Sequence, residues 1–182
     1  MARFDDCLQV VLGFEGGYSH HEADRGGRTN WGITEATLKE ARKRGIVGHS
    51  DIARLKTHEA AAIYEALYWV PSRADDMPQP LDLVVFDCAV NHGVGGAGRL
   101  LQEAVNAVMD ADLVVDGIVG PATQRELMKA LAANRPEALA LAMLAMRARY
   151  FVRIVEGNPS QRAFFWGWVR QRVANLIDKL RR

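Results

Sequence analysis

Apolar residues recur along this chain mainly at helical spacing, and alternating strand patterns are scarce. Phe4, Cys7, Leu8, Val11, Leu12 and Glu15 fall on one helical face. They predict an amphipathic helix that opens the chain and stops at Gly16-Gly17. The stretch from Tyr18 to Ile33 is rich in Gly, Asp, Asn, His and Arg, so it reads as a structured loop with room for a short hairpin. Thr34 predicts the N-cap of a helix running to about Arg44, with Gly45 as its terminator. Thr57 predicts the cap of another, ending near Trp69 ahead of Pro71. Leu81 to His92 is apolar almost all round, which marks a central buried helix. Gly93, Gly95 and Gly96 are expected to break the chain before a helix from Ala97 to Met109. Asp116 to Pro121 reads as a turn, with Pro121 at the first position of the helix that follows. Two long helices, roughly Glu137 to Val155 and Gln161 to Leu180, complete the pattern. The expected architecture is mainly α, in two lobes, with the Tyr18–Ile33 loop over a cleft.

Composition narrows the function classes. Basic and acidic residues number 23 and 22, a net charge of +1. A nucleic-acid binder usually carries a marked basic excess, so none is expected here. No apolar run approaches the ~20 residues that a membrane-spanning helix needs, so stable membrane insertion is not expected. The opening residues Met1 to Asp6 lack the pattern of a secretory signal, which leads to the expectation of synthesis in the cytoplasm. Cys7 and Cys88 sit among apolar residues and are expected to be buried free thiols.

The candidate chemistry begins at Glu15. Glycoside hydrolysis needs a protonated acid beside the leaving oxygen, often with a second carboxylate that activates water or acts as nucleophile. A free Glu, with a pKa of ~4.3, is mostly charged near neutral pH. Glu15 continues the apolar stripe of the first helix at its C-terminal end. Burial and the partial negative charge of a helix C-terminus both disfavour a carboxylate, which suits a proton donor. Gly16 and Gly17 would let the backbone turn sharply and leave room for a sugar.

The residues that follow extend this picture. Glu15-Gly16-Gly17-Tyr18, then Asp24-Arg25-Gly26-Gly27-Arg28-Thr29-Asn30-Trp31-Gly32-Ile33-Thr34, closely resembles glycoside hydrolase family 108, lysozyme-like N-acetylmuramidases of phages and bacteria. The resemblance implies a mainly α, lysozyme-like fold with a substrate cleft and gives Glu15 the catalytic role. Phage-type lysozymes offer a more distant likeness. They too have eight residues between the catalytic Glu and an Asp, as between Glu15 and Asp24. Their following Thr is replaced here by Asn30, with Thr29 one place earlier. Asp24 is therefore either a catalytic group that positions water or a turn residue that holds the loop. Thr29 and Asn30 either hydrogen-bond water and substrate or organise the loop. Tyr18, Trp31 and Trp69 are candidates for stacking on sugars, against the commoner fate of core packing. Phe86-Asp87-Cys88-Ala89-Val90-Asn91-His92-Gly93 resembles a further stretch of the family. Within it Asp87 reads as structural support, and Asn91 and His92 as lining of the saccharide cleft.

Leu101-Gln102 and Val115-Asp116-Gly117-Ile118-Val119-Gly120-Pro121-Ala122-Thr123 resemble the core of small helical peptidoglycan-binding modules, or else form a well-made helix–loop–helix junction. The expected organisation is a lysozyme-like catalytic region over 1–95 and a helical region over 96–182, packed as one unit. The resemblance implies hydrolysis of the β-1,4 bond between N-acetylmuramic acid and N-acetylglucosamine, with peptidoglycan as partner and no cofactor. No functional metal is expected, because His20, His21, Glu22 and Asp24 crowd one loop without metal-ligand spacing. Two rivals remain: a lytic transglycosylase, and a non-catalytic wall-binding or secretion-assisting protein. The chain is expected to be a monomer acting on the cell wall, as a phage endolysin helped by a holin or as a bacterial relative with a dedicated export route.

Overall fold

The computed structural model describes residues 2–15 and 29–180. Helix α1 (Ala2–Glu15) opens the chain. A two-residue hairpin, β1 (Thr29–Asn30) and β2 (Ile33–Thr34), leads into α2 (Glu35–Lys43) and α3 (Thr57–Tyr64). Then come α4 (Leu81–Met109), α5 (Pro121–Ala133), α6 (Pro136–Gly157), α7 (Arg162–Val169) and α8 (Asn175–Leu180). The fold is mainly α and lysozyme-like. Packing divides the chain into two compact units, Met1–Pro71 and Ser72–Arg182. Among the described residues no helix is long and apolar enough to cross a membrane.

In the first unit, Phe4, Cys7, Leu8 and Val11 of α1 are buried at i, i+3, i+4 and i+7, as an amphipathic helix requires. Thr34 caps α2, its Oγ1 accepting from the Thr37 N–H at 3.1 Å. Gly45 follows with a φ of 74°, the left-handed backbone that a glycine terminator supplies. The cap of α3 lies one residue earlier than the sequence suggests. Lys56 is the extended boundary residue, and its N–H donates to Glu59 Oε2 at 2.9 Å, the reciprocal half of a capping box. Past Tyr64 the helix widens into a π turn, Glu65–Trp69, with the Val70 N–H reaching back to the Glu65 carbonyl at 3.0 Å.

In the second unit α4 is the centre. Its first turns, Leu81 to Ala89, are buried almost without interruption. The expected break at the glycines is a kink rather than a loop. Gly93 takes φ 73°, ψ 164°, a conformation restricted to glycine, and the helix resumes at once. Pro121 begins α5 at a position where its missing N–H costs nothing. The final helix is likewise one path with a widened π turn at Arg170–Ala174 between α7 and α8. Both cysteines are free and buried.

Candidate functional site

Glu15 is the last residue of α1; its side chain, together with Tyr18 and Asp24, lies outside the described residues. Thr29 pairs with Thr34 and Asn30 with Ile33. The two-residue turn between them, Trp31-Gly32, has φ of 55° and 74°. Positive φ at both central positions matches the right-handed twist of a tight hairpin, and Asn-Gly is the sequence that suits it best. Trp31 therefore occupies a backbone conformation that a bulky side chain rarely adopts.

Three contacts hold this hairpin in place. Asn30 Nδ2 donates to the Ile52 carbonyl at 3.0 Å and to the Leu55 carbonyl at 3.4 Å. Ile52 begins a short 3-10 turn, Ile52–Arg54, whose start is capped by Asp51. On the other side Tyr64 Oη donates to the Trp31 carbonyl at 3.0 Å. The Tyr64 ring is buried, so its hydroxyl is a fixed post. Thr29, Asn30 and Trp31 are all half-buried, with part of each side chain open to solvent. Asn30 thus organises the loop through its nitrogen and keeps its oxygen as an acceptor.

Trp69 is different. It is only 2% exposed, with its ring 5.5 Å from that of Phe4 at a tilt of 60°. It packs the core of the first unit, and no sugar can reach its face in this structure. Trp69 is the buried residue of the π turn, whose other members, Glu65 to Tyr68, are exposed or half-buried.

Asn91 and His92 belong to the second unit. Asn91 is exposed and donates its Nδ2 to the Asp87 carbonyl one turn back, at 3.0 Å. His92 is half-buried, between Tyr150 and Phe151 at centroid distances of 5.0 and 5.6 Å. Its Nε2 accepts from Arg147 Nε at 3.0 Å. Burial, then the positive charges of Arg147 and Arg172, push its pKa down to about 3. The ring is neutral at physiological pH, with its proton on Nδ1 by geometry.

Beneath His92 lies a charge cluster that sequence reading did not find. Asp87 is fully buried. Its Oδ2 accepts from Arg147 Nη1 at 2.5 Å and its Oδ1 from Arg172 Nη1 at 3.0 Å. Arg147 Nη1 also donates to the Arg172 carbonyl at 3.0 Å, and its guanidinium lies 5.7 Å from the Phe151 ring centre. Asp87 is thus the structural tie expected of it, joining α4 to α6 and to the last helix. The signal for Arg147 was its register: it falls four residues after buried Met143 and four before buried Phe151.

Gln102 organises the 116–121 turn. Almost fully buried, it donates Nε2 to Asp116 Oδ1 at 2.8 Å, Thr123 Oγ1 at 3.0 Å and the Ile118 carbonyl at 3.1 Å. Its Oε1 accepts from the Gly117 N–H at 2.8 Å. These bonds hold the Asp116 carboxyl below its usual pKa, with Gln102 the largest cause. The turn lies so close to α4 that a Cβ on Gly98 would stand 2.2 Å from the Gly117 carbonyl oxygen.

Comparison with known proteins finds a match for each part of the chain. Residues 8–93 match the family model described as Glycosyl hydrolase 108, and residues 96–173 match a family described as a predicted peptidoglycan domain. The two matches meet at the Gly93 kink of α4. The chain is also similar to the solved structure of Brucella abortus SagA, at 27% identity and a TM-score of 0.79, covering 98% of this chain and 94% of that one. No curated protein matches the sequence. The two matches together support a role on peptidoglycan, as a hydrolase or as a binding protein.

Proposed function

We propose that the protein is an N-acetylmuramidase that hydrolyses the β-1,4 bond between N-acetylmuramic acid and N-acetylglucosamine. The reading is carried by the Glycosyl hydrolase 108 match over residues 8–93, within which Glu15 closes α1 and Thr29 opens the pinned hairpin. Glu15 serves as general acid and gives its proton to the leaving glycosidic oxygen. Water attacks the anomeric carbon, directed by Asp24 or by the polar groups of Thr29 and Asn30. The oxocarbenium-like transition state then resolves to two free sugar ends. Tyr18 and Trp31 supply aromatic faces for the pyranose rings; the unfavourable backbone of Trp31 supports a role for its side chain beyond turn formation. Trp69 has no part in substrate contact.

Digestion of purified peptidoglycan with the wild type and Glu15→Gln tests this, with products reduced by borohydride and identified by mass spectrometry. Reducible muramic acid ends are expected from the wild type and none from the variant. General acid catalysis alone is worth about 10²–10⁴-fold, so residual cleavage should fall below detection. Anhydromuramic acid ends would replace hydrolysis with a transglycosylase reaction. Failure of the wild type to cleave several wall types would leave a binding protein.

A further inference from the structure

A groove of about 420 Å³ runs between α4 and α6 in the second unit, away from Glu15 and the hairpin in sequence and unused by the proposed reaction. Its volume is within the range of small-ligand sites. We propose that this groove, lined by Arg99, Leu100, Glu103, Tyr150, Arg153 and Ile154, is a subsite for the peptide stem of peptidoglycan, seating a carboxylate on Arg99 and an amino group on Glu103. It rests on the reading that the protein acts on peptidoglycan.

The charge pattern selects the ligand. Glu103 Oε1 accepts from Arg153 Nη1 at 3.0 Å, which fixes the carboxylate plane. Glu103 Oε2 is buried and has no hydrogen-bond partner among the described residues. A buried carboxylate oxygen in that state calls for a donor, and a ligand ammonium or amide N–H supplies one. Arg99 is exposed, with the Asp116 carboxyl near enough to feel its charge. Its planar fork suits a carboxylate. Leu100, Ile154 and the Tyr150 ring form the apolar part of the lining. His92 closes one wall as a neutral ring, tied down by Arg147, and adds no third positive charge.

A glycan strand offers mostly hydroxyl and acetamide groups. Laid in this groove it would cover the Arg99 guanidinium without supplying a counter-charge, an unfavourable desolvation. A peptide stem brings carboxylates and amines together within a few bonds. The groove's cation–anion–apolar sequence fits that chemistry. It also gives the second domain a reason to recognise the wall by the part of the polymer that the hydrolase does not cut.

Calorimetric titration of the full chain tests the assignment. The probes are a synthetic stem tetrapeptide carrying diaminopimelic acid at its third position, the same peptide with its carboxylates amidated, and chitotetraose as a neutral glycan. The wild type should bind the free tetrapeptide. Arg99→Ala and Glu103→Gln should each weaken that binding at least about tenfold, the loss of one charge-assisted contact. Amidation should have the same effect, and chitotetraose binding should not change. Arg99 is exposed, so its variant is expected to keep the fold, which a thermal melt verifies. Absence of tetrapeptide binding, or binding that both variants leave intact, overturns the subsite. Loss of chitotetraose binding in these variants would give the groove to the glycan and also overturn it. Peptidoglycan digestion run in parallel separates the two readings. Cleavage without tetrapeptide binding removes the subsite alone, whereas tetrapeptide binding without cleavage upholds it and removes the hydrolase.

Discussion

Two turns in this molecule are pinned by a side-chain amide, and they are built to different standards. The 116–121 turn is held by Gln102, which is almost fully buried and uses both ends of its amide. Where its backbone needs positive φ, at Gly117, the residue is glycine. The 29–34 hairpin is held by Asn30 through its nitrogen, and its first positive-φ position is a tryptophan. The first turn is architecture, held at several polar groups and with glycine where φ is positive. The second keeps a large aromatic ring where Asn or Gly would be easier for the backbone. Strain retained beside a partly open surface is a ground for assigning that ring a task.

The comparison breaks most visibly if the buried framework of the second unit is not what stabilises it. Arg147→Met should cost about 3–5 kcal/mol, because it leaves Asp87 buried with one cation instead of two. Chemical denaturation of the full chain measures this. A loss below about 1 kcal/mol would mean that Arg172 alone compensates and that the cluster is not the tie between α4, α6 and the last helix.

Two glycine replacements sharpen the contrast. Gly98→Ala drives a Cβ against the Gly117 backbone, which cannot move aside as a side chain would, so a loss of about 1–3 kcal/mol is expected. Gly13→Ala, in α1, meets nothing within 4 Å and should stabilise by about 0.5–1 kcal/mol. Equal effects from the two would contradict the close approach of the turn to α4.

A pH titration of stability reaches the same framework from another side. His92 has a native pKa of about 3, against an ordinary value of 6.5. Between those values the unfolded chain binds a proton that the native chain refuses. Its contribution is therefore complete above pH 6.5 and is lost as pH falls towards 3. The lowered carboxylates, Glu40, Glu59 and Asp116, act only below their ordinary values of 4.5, 4.5 and 3.8. The window from pH 6.5 to 5 thus isolates His92 among these groups. Over it the wild type should lose on the order of 1–2 kcal/mol, and His92→Gln, which keeps an acceptor for Arg147, should lose much less.

How much of this was legible in the sequence follows from the range of each interaction. The buried stripe of α1, the Thr34 cap, the Gly45 terminator and Pro121 at the head of α5 are local signals, and each is found where the pattern puts it. The hairpin in the polar loop was legible as a possibility, but its pinning by Ile52, Leu55 and Tyr64 was not. Those contacts join residues 22 to 33 positions apart. Asp87 could be read as a polar residue needing a partner. Arg147 and Arg172 lie 60 and 85 residues away, and neither could be named as that partner. Trp69 was misjudged as a possible stacking surface because an aromatic at a helix end looks the same in sequence whether it faces water or Phe4.

The smallest change in stability accompanies the most informative variant. Trp31→Asn converts the hairpin turn to Asn-Gly, the pair that the geometry favours, and removes the cost of a bulky residue at φ 55°. That cost is roughly 1–2 kcal/mol. Against it stands the lost packing of a half-buried ring. The two nearly cancel, so the melting temperature should stay within a few degrees of wild type. If Trp31 stacks on the glycan, peptidoglycan cleavage should nonetheless fall by about tenfold, with the loss carried mainly by KM, since stacking binds substrate and transition state alike. A stability loss of about 3 kcal/mol or more, the scale for truncating a core aromatic, would place the ring in the core beside Trp69. The strain would then be a consequence of packing, and the contrast between the two turns would lose its functional meaning.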